Sequence, residues 1–209
     1  MVRVAQVRPY RGVEATARDA ARRRRFIEAG LDLLGGSEIP DELTVRSICR
    51  QAGLAVRYFY DTFGDKDDFV AAVFDDVTAQ LASTTQAAVA AAPVAEQNRA
   101  GITNLVRIIS DDPRVGRLLF SIRLSNGVLL GKRAEQGGIF AMLSREHIQT
   151  ALQIAGNSRI SALSHFVVGG VGQTLSAWLA GEVVLSPEEL VDHLEAILGV
   201  FNEPRLFRD

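Results

Sequence analysis

The 209-residue chain is poor in the residues that carry redox, metal and anchoring functions: it has one cysteine, three histidines and two methionines. The single Cys49 cannot form an internal disulfide, which favours a reducing compartment. The scattered histidines form no ligand cluster, so we expect neither a metal nor a cofactor. No apolar run reaches the roughly 18 residues that a membrane span needs, and the N-terminus lacks a signal-peptide pattern. We therefore expect a cytoplasmic protein with no membrane partner.

Enzyme signatures are also missing from the sequence. It has no zinc-protease histidine pair, nucleophile elbow, phosphate-binding loop or dinucleotide fingerprint. The glycine pairs at 35–36, 137–138 and 169–170 lack the spacing that such loops require. We therefore predict that the chain is not an enzyme.

What the sequence does contain is the composition of a folded protein, with 47% hydrophobic and 23% charged residues. Its net charge of −2 is unevenly distributed, since residues 1–66 carry +3 and residues 67–209 carry −5. The first 25 residues hold eight arginines against two acidic residues. This asymmetry is typical of a chain that touches a polyanion with one end. A solvated, arginine-rich segment with no partner is the alternative.

The hydrophobic pattern is helical throughout. Residues 1–18, which include Pro9 and Gly12, show no sustained period and indicate a flexible basic arm. From Asp19 onward, apolar residues recur at three- and four-residue spacing, and no convincing two-residue alternation appears. Four helix starts are marked by capping residues, at Thr44, Asp65, Asp112 and Ser186. The pattern predicts an all-α fold of about nine helices.

Three local features are also predicted. Asp65 and Asp68 resemble a capping box, with aspartate in place of the usual glutamate. The short helix that follows Gly53 should continue to Phe63, and Asn126-Gly127 should form a bend or loop.

A helix-turn-helix motif is the most informative local pattern. Cys49 supplies a small residue where two short helices cross, and Gly53 follows four positions later at the turn. Ile48, Leu54 and Phe59 occupy the positions expected to pack behind the second helix. Such a helix can lie in the major groove with its exposed side chains toward base edges. Taken alone this pattern is weak, because many helical hairpins share it.

The surroundings of the motif make it specific. Residues 44–69, TVRSICRQAGLAVRYFYDTFGDKDDF, closely resemble the N-terminal signature of the TetR family of transcriptional regulators, and FIEAGLDLL at 26–34 fits that family's first helix. The detailed resemblance covers about residues 20–74. It implies a DNA-binding domain at 19–64, and a helical ligand-binding and dimerisation domain at 65–209. It also implies a homodimeric repressor that leaves its double-stranded operator when a small-molecule effector binds.

The resemblance assigns DNA-binding roles to particular positions. Thr44 would bind a phosphate through its hydroxyl and backbone N–H, and Tyr60 and Lys66 would contact further phosphates. The best candidates for facing the bases are Arg46, Val56, Arg57 and Tyr58. Ala55 stands where a serine often caps the recognition helix, and Arg57 replaces a frequent glycine. Both departures leave the operator sequence open.

The N-terminal arginines have two interpretations each. Some of the four at 22–25 would meet phosphates, or they form a solvated helix face. Arg3, Arg8 and Arg11 could reach a minor groove, as basic arms do, or remain in solvent.

In the C-terminal half, the resemblance places dimerisation on the last two helices, at 160–181 and 186–201. Gly169, Gly170, Gly172 and Ser176 would permit close helix approach there. The effector pocket would lie among the middle helices, with the candidates Phe120, Arg123, Asn126, Phe140, His147, His165, Gln173 and Trp178. For most of these a purely structural role is the alternative. Arg123 stands out because its neighbours are apolar, which suggests partial burial and a polar or acidic effector.

Two other functions stay open. A helical module that senses a ligand without touching DNA would have no need for Thr44, Tyr60 and Lys66 together. An activator would keep the same DNA contacts, since the sign of regulation depends on where the operator lies.

Overall fold

The computed structural model describes residues 11–38, 42–121, 126–153 and 155–202, which form nine α-helices and no strand. The all-α prediction is confirmed. The helices are α1 Arg11–Gly35, α2 Val45–Ala52, α3 Val56–Tyr60, α4 Lys66–Ala91, α5 Gln97–Asp111, α6 Pro113–Phe120, α7 Gly127–Leu152, α8 Ser158–Leu179 and α9 Pro187–Gly199. Single 3₁₀ turns cover Val94–Glu96 and Val200–Asn202.

The four predicted helix caps are all present. The side chains of Thr44, Asp112 and Ser186 each accept a hydrogen bond from a first-turn backbone N–H. Asp65 does the same for Asp68 N at 2.8 Å. The Asp68 carboxylate, however, accepts from Gly64 N at 3.0 Å, one residue before the cap. The predicted reciprocal pair at α4 is therefore shifted by one residue, because aspartate is shorter than the usual glutamate.

Three boundaries differ from those expected from sequence. Helix α1 begins at Arg11, so residues 11–18 are helical rather than part of an arm; residues 1–10 lie outside the described ranges. Helix α7 begins at Gly127, where we expected a bend, because the Asn126 side chain accepts from Val128 N at 2.9 Å and caps a new helix. Helix α3 ends at Tyr60 rather than continuing to Phe63.

Two hydrophobic cores lie along the molecule. The first is formed mainly by α1, α2, α3 and α4, with contributions from α6 and α7. The second joins α5, α8 and α9. Leu105 and Phe120 are partly buried and pack against both. Helix α4 extends beyond the first core toward α5, so the two cores share continuous helical supports.

None of the helices in the described ranges is long and apolar enough to span a bilayer. Within those same ranges, no three histidine, cysteine or acidic residues are grouped to hold a metal ion.

Candidate nucleic-acid interface

The short helix α3 is held from behind by a cluster of four phenylalanines. Phe59, at 0% exposure, lies with its ring centroid 5.8 Å from Phe26 and 5.7 Å from Phe69. Phe63 packs edge-on against Phe69 at 5.2 Å. Five residues form too short a helix to be stable alone. The orientation of α3 is therefore set by this aromatic packing.

The turn between α2 and α3 has the geometry that a helix-turn-helix needs. Gly53 adopts a left-handed conformation with φ of 62° and closes α2. Arg25 of α1 donates from Nη2 to the carbonyl of Ala52 at 2.7 Å and to that of Gly53 at 3.2 Å. Cys49 is buried at the crossing, and burial raises the pKa of its thiol. Arg25, although exposed, thus holds the turn against α1, a role that we had not predicted.

The predicted base-facing residues are on the surface. Arg46 of α2 and Val56 and Arg57 of α3 are exposed, while Tyr58 is half-buried. Ala55, the α3 cap residue, makes no side-chain capping bond, as its side chain predicts. The first backbone N–H groups of α3 therefore receive no acceptor from the side chain of the cap residue.

The predicted phosphate-contacting residues differ in how free they are. Tyr60 is 60% exposed, and Lys66 is half-buried as the first residue of α4. Thr44 is already engaged: its Oγ1 accepts from Ser47 N, and its own N–H donates to Ser47 Oγ, both at 3.1 Å. The N–H groups of the first two helical residues, Val45 and Arg46, have no acceptor within the helix. A phosphate contact at Thr44 stays a prediction.

A stack of one aromatic ring and two guanidinium groups lies beside α3. Arg22 of α1 sits 4.7 Å from the Tyr58 ring centroid, and Arg57 sits 4.6 Å from it. Arg57 also donates from Nη2 to the Tyr58 hydroxyl at 2.7 Å. Arg23 similarly lies over Phe63 at 5.4 Å. Within the arginine run at 22–25, Arg22 and Arg23 therefore lie over aromatic rings. Which of the four meet phosphates stays a prediction.

Helix α6 connects this region to the rest of the chain. Arg117 donates to the carbonyl of Gly35 at 2.6 Å, and a Cβ on Gly35 would lie 2.3 Å from the backbone oxygen of Arg114. Arg114 also pairs with Glu28 and Asp32 on α1. Its hydrogen bonds hold the pKa of the Asp112 carboxyl below the ordinary value. Backbone contact and ion pairs together join α6 to the end of α1.

Several predicted effector residues have structural partners. Asn126 caps α7, and the Trp178 indole donates to the Leu185 carbonyl at 2.8 Å. Phe120 lies between the two cores. Phe140 and His147 are half-buried on α7. Arg123 lies outside the described residues.

The two α8 candidates lie toward the surface. His165 is exposed beside Phe166 rather than enclosed between helices. Gln173 is exposed and lines a cleft of about 110 Å³ between α6 and α8, with Arg117 and Ser121. Ligand sites for drug-sized molecules are usually about 300–1,000 Å³. This cleft would have to widen to hold a large effector.

The outer surface of α8, together with the final 3₁₀ turn, exposes apolar residues. Phe166 is 63% exposed, and its ring packs edge-on against Phe201 of the final 3₁₀ turn at 5.8 Å. Gly169 and Gly170 share this face, and added Cβ atoms there would meet nothing within 4 Å. Gly172 and Ser176, by contrast, face inward, with Gly172 near the Phe120 ring. Of these four positions, Gly169 and Gly170 are therefore open to approach by another helix.

No family model matches the sequence. HTH-type transcriptional regulators described as uncharacterized, from Mycobacterium tuberculosis and Mycobacterium bovis, are 24% identical over 204 residues, which cover 95% of this chain and 91% of theirs. A TetR-like transcriptional regulator from Rhodococcus sp. RHA1 superposes with a TM-score of 0.66 and 16% identity, over 88% of this chain and 98% of that one. The chain has the TetR-family fold.

Two further solved structures share the TetR-family fold. The fatty acid degradation regulator FadR from Bacillus halodurans superposes with a TM-score of 0.72 and 16% identity, over 85% of this chain and 94% of that one. FadR from Bacillus subtilis, solved with stearoyl-CoA, gives a TM-score of 0.65 and 19% identity, over 86% and 97%. These neighbours and the mycobacterial relatives are transcriptional regulators. The resemblance seen in residues 20–74 is confirmed at the level of the fold.

Proposed function

We propose that the protein is a homodimeric repressor that binds operator DNA through α2, α3 and the start of α4, and releases it when an effector enters the C-terminal domain. The observation that carries this proposal is the exposed surface of α3, held on a rigid aromatic cluster and flanked by Tyr60 and Lys66. A DNA-binding function supports the further proposal that the protein is cytoplasmic.

The surface chemistry supports DNA over a protein partner. Arg46, Arg57 and Lys66 supply cations, and Tyr60 an exposed hydroxyl. Val56 and Tyr60 are one helical turn apart on α3, so an apolar group and a phenol share one face. Arginine can read guanine, and an apolar side chain can meet a thymine methyl.

A mobility-shift titration across a salt series tests the proposal, with the DNA upstream of the protein's own gene as probe. We expect affinity to fall steeply with salt. Lys66→Gln should lower the slope of log K against log salt by about two per dimer, since each lost phosphate contact removes about 0.9. Tyr60→Phe should weaken binding about a hundred-fold per dimer, since a hydrogen bond to a charged group contributes about 1.5 kcal/mol at each of two sites. It should leave the slope unchanged, because the tyrosine side chain carries no charge.

The matched control is Arg107→Gln, which removes one exposed charge from α5, away from the interface. It should leave both affinity and slope as in the wild type. Equal losses of DNA affinity in Arg107→Gln and Lys66→Gln would show that the protein attracts DNA only through its overall charge. The absence of any shifted fragment with the folded dimer would favour the ligand-sensing module instead.

A dimer is required because two recognition helices read two half-sites. We propose that it forms through the exposed α8 face, defined by Phe166, Gly169 and Gly170, together with α9. Ile197 and Val200 leave further apolar surface there. Gly169→Arg should yield a monomer, which light scattering would detect. The same substitution at Gly172, which faces inward, would disturb the fold of the single chain.

The effector is the least constrained part of the proposal. Since FadR from Bacillus subtilis was solved with stearoyl-CoA, a long-chain acyl-CoA is the first ligand to test. Binding would have to separate α6 from α8, whose cleft is small. Because α6 is joined to α1 by Arg114 and Arg117, such a movement would reach the DNA-binding helices.

Linkage makes this mechanism measurable. An effector that weakens operator binding must itself bind less tightly to the DNA complex, by the same factor. Calorimetric titration of acyl-CoA into free protein and into the DNA complex should show that ratio. Equal affinities would exclude release by that ligand, and reporter expression with the operator placed at a promoter separates repression from activation.

A further inference from the structure

We propose that Arg22, Tyr58 and Arg57 form one stacked reading unit, in which Arg57 contacts guanine and Arg22 is a positioning residue on α1. The inference rests on the proposed DNA-binding function and names residues that set its sequence preference. It depends on Arg57, the exposed second residue of α3.

The geometry of Arg57 leaves it able to read a base. Its Nη2 donates to the Tyr58 hydroxyl at 2.7 Å, which uses one of the five guanidinium N–H groups. The remaining N–H groups still include a pair of parallel donors, as recognition of guanine O6 and N7 requires. The side chain is exposed at the second position of α3.

Tyr58 fixes that guanidinium from two directions, since its hydroxyl accepts a hydrogen bond and its ring lies 4.6 Å from the Arg57 carbon. An arginine that is ordered before binding loses less conformational freedom when it meets the base. The ring is half-buried, so it offers a firm surface.

Arg22 holds the ring from α1, at 4.7 Å from its centroid. Arg22 in turn pairs with Asp19, one turn earlier on α1. A series of contacts therefore connects α1 to the exposed edge of α3, from Asp19 through Arg22 and Tyr58 to Arg57. Through these contacts Arg22, 35 positions away in sequence, orients the guanidinium group of Arg57.

The stack can be tested first in the free protein. Protons of Arg22 and Arg57 above an aromatic ring should show upfield NMR shifts. These shifts should disappear in Tyr58→Ala and persist in Tyr58→Phe, and the side chain of Arg24 should show none. Unshifted Arg22 and Arg57 protons in the wild type would overturn the inference without any use of DNA.

Selection from a random-core duplex library tests the reading role. We expect the wild type to enrich a guanine in each half-site, and Arg57→Ala to lose that preference by about five-fold to a hundred-fold. Arg22→Ala should reduce the same preference about two- to five-fold. Arg22→Lys keeps the charge but not the planar group, so it should keep the salt slope and only partly restore the preference.

The control is Arg24→Ala, which removes the same charge from the same turn of α1 and should weaken all sequences equally. If Arg22→Ala behaves like Arg24→Ala, Arg22 is only a source of charge and the positioning role is wrong. If Arg57→Ala weakens every sequence equally, Arg57 binds a phosphate rather than guanine. If the wild type enriches no sequence while its NMR shifts are present, the DNA-binding function itself fails, and the reading unit fails with it.

Discussion

The N-terminal helices around α3 and the C-terminal helices of this chain differ in how completely they bury their apolar side chains. Around α3, four phenylalanines are between 0 and 2% exposed. Along α7, α8, α9 and the final 3₁₀ turn, by contrast, large apolar side chains are each more than 40% exposed: Leu130, Met142, Phe166, Ile197 and Val200.

The difference indicates what each region needs. The N-terminal core buries its large apolar side chains within one chain. It can therefore hold α3 in position without a partner subunit. The C-terminal helices leave large apolar side chains in water, and surfaces of this kind mark protein interfaces. A single chain therefore contains a fully buried core around α3 and a C-terminal surface that leaves apolar side chains exposed.

The largest expected effect tests whether the first core is self-sufficient. Phe59→Ala should lower the free energy of unfolding by about 3 to 5 kcal/mol, because it leaves a cavity among three other rings. Phe166→Ala removes the same ring from an exposed position and serves as the control in denaturant unfolding at low protein concentration. Equal losses in the two variants would erase the distinction between the regions.

The next effect concerns assembly. Phe166→Asp places a charge on the exposed α8 face, and loss of a central aromatic contact costs about 2 kcal/mol per copy. Two-fold symmetry doubles this, so the dimer dissociation constant should rise about a thousand-fold. Analytical ultracentrifugation measures this dissociation constant. An unchanged value would show that the dimer interface lies on another surface.

A smaller effect addresses the connection between the regions. Gly35→Ala would place a Cβ 2.3 Å from the Arg114 carbonyl oxygen, and a backbone atom cannot turn aside as a side chain can. We expect a loss of about 1 to 3 kcal/mol in thermal unfolding. Gly131→Ala, in the second turn of α7 with open space around it, should instead stabilise by up to about 1 kcal/mol. A neutral Gly35→Ala would mean that α1 and α6 separate easily.

The smallest effect is pH-dependent. Arg114→Met keeps the stem but removes hydrogen bonds to Asp112, and should cost about 1 to 2 kcal/mol at neutral pH. Because the pKa of Asp112 is lowered in the folded state, its contribution is present above the unfolded pKa of about 3.9 and is lost as pH falls through the lower folded value. The difference between wild type and variant should therefore shrink below about pH 4. A constant difference down to pH 2 would contradict this assignment.

Much of the helix-turn-helix region around α2 and α3 could be predicted, because the signals that specify it are local in sequence. The spacing of Cys49 and Gly53, the cap at Thr44 and the uncapped Ala55 all lie within twelve residues, and each was recognisable from residue type. Helix boundaries were harder where one residue serves two purposes. Asn126 suits both a bend and a helix cap, and only the bonds to Val128 and Leu129 distinguish them.

The C-terminal helices were less predictable for a different reason. Helix α8 is apolar around most of its circumference, so its sequence does not indicate which face is buried. Gly172 and Ser176 turned out to face inward, whereas Gly169 and His165 face outward. Which residues line an effector site therefore stays a prediction.

By itself, the sequence determined the all-α class, the helix-turn-helix and its exposed candidates, since these depend on periodicity, capping and side-chain chemistry within short segments. Only the tertiary structure decided the roles of Arg25, Arg22 and Arg114, whose partners lie far along the chain. An arginine carries the same charge in solvent, over a ring or beside a carbonyl. What it does depends on the surface that folding brings within reach of its long side chain.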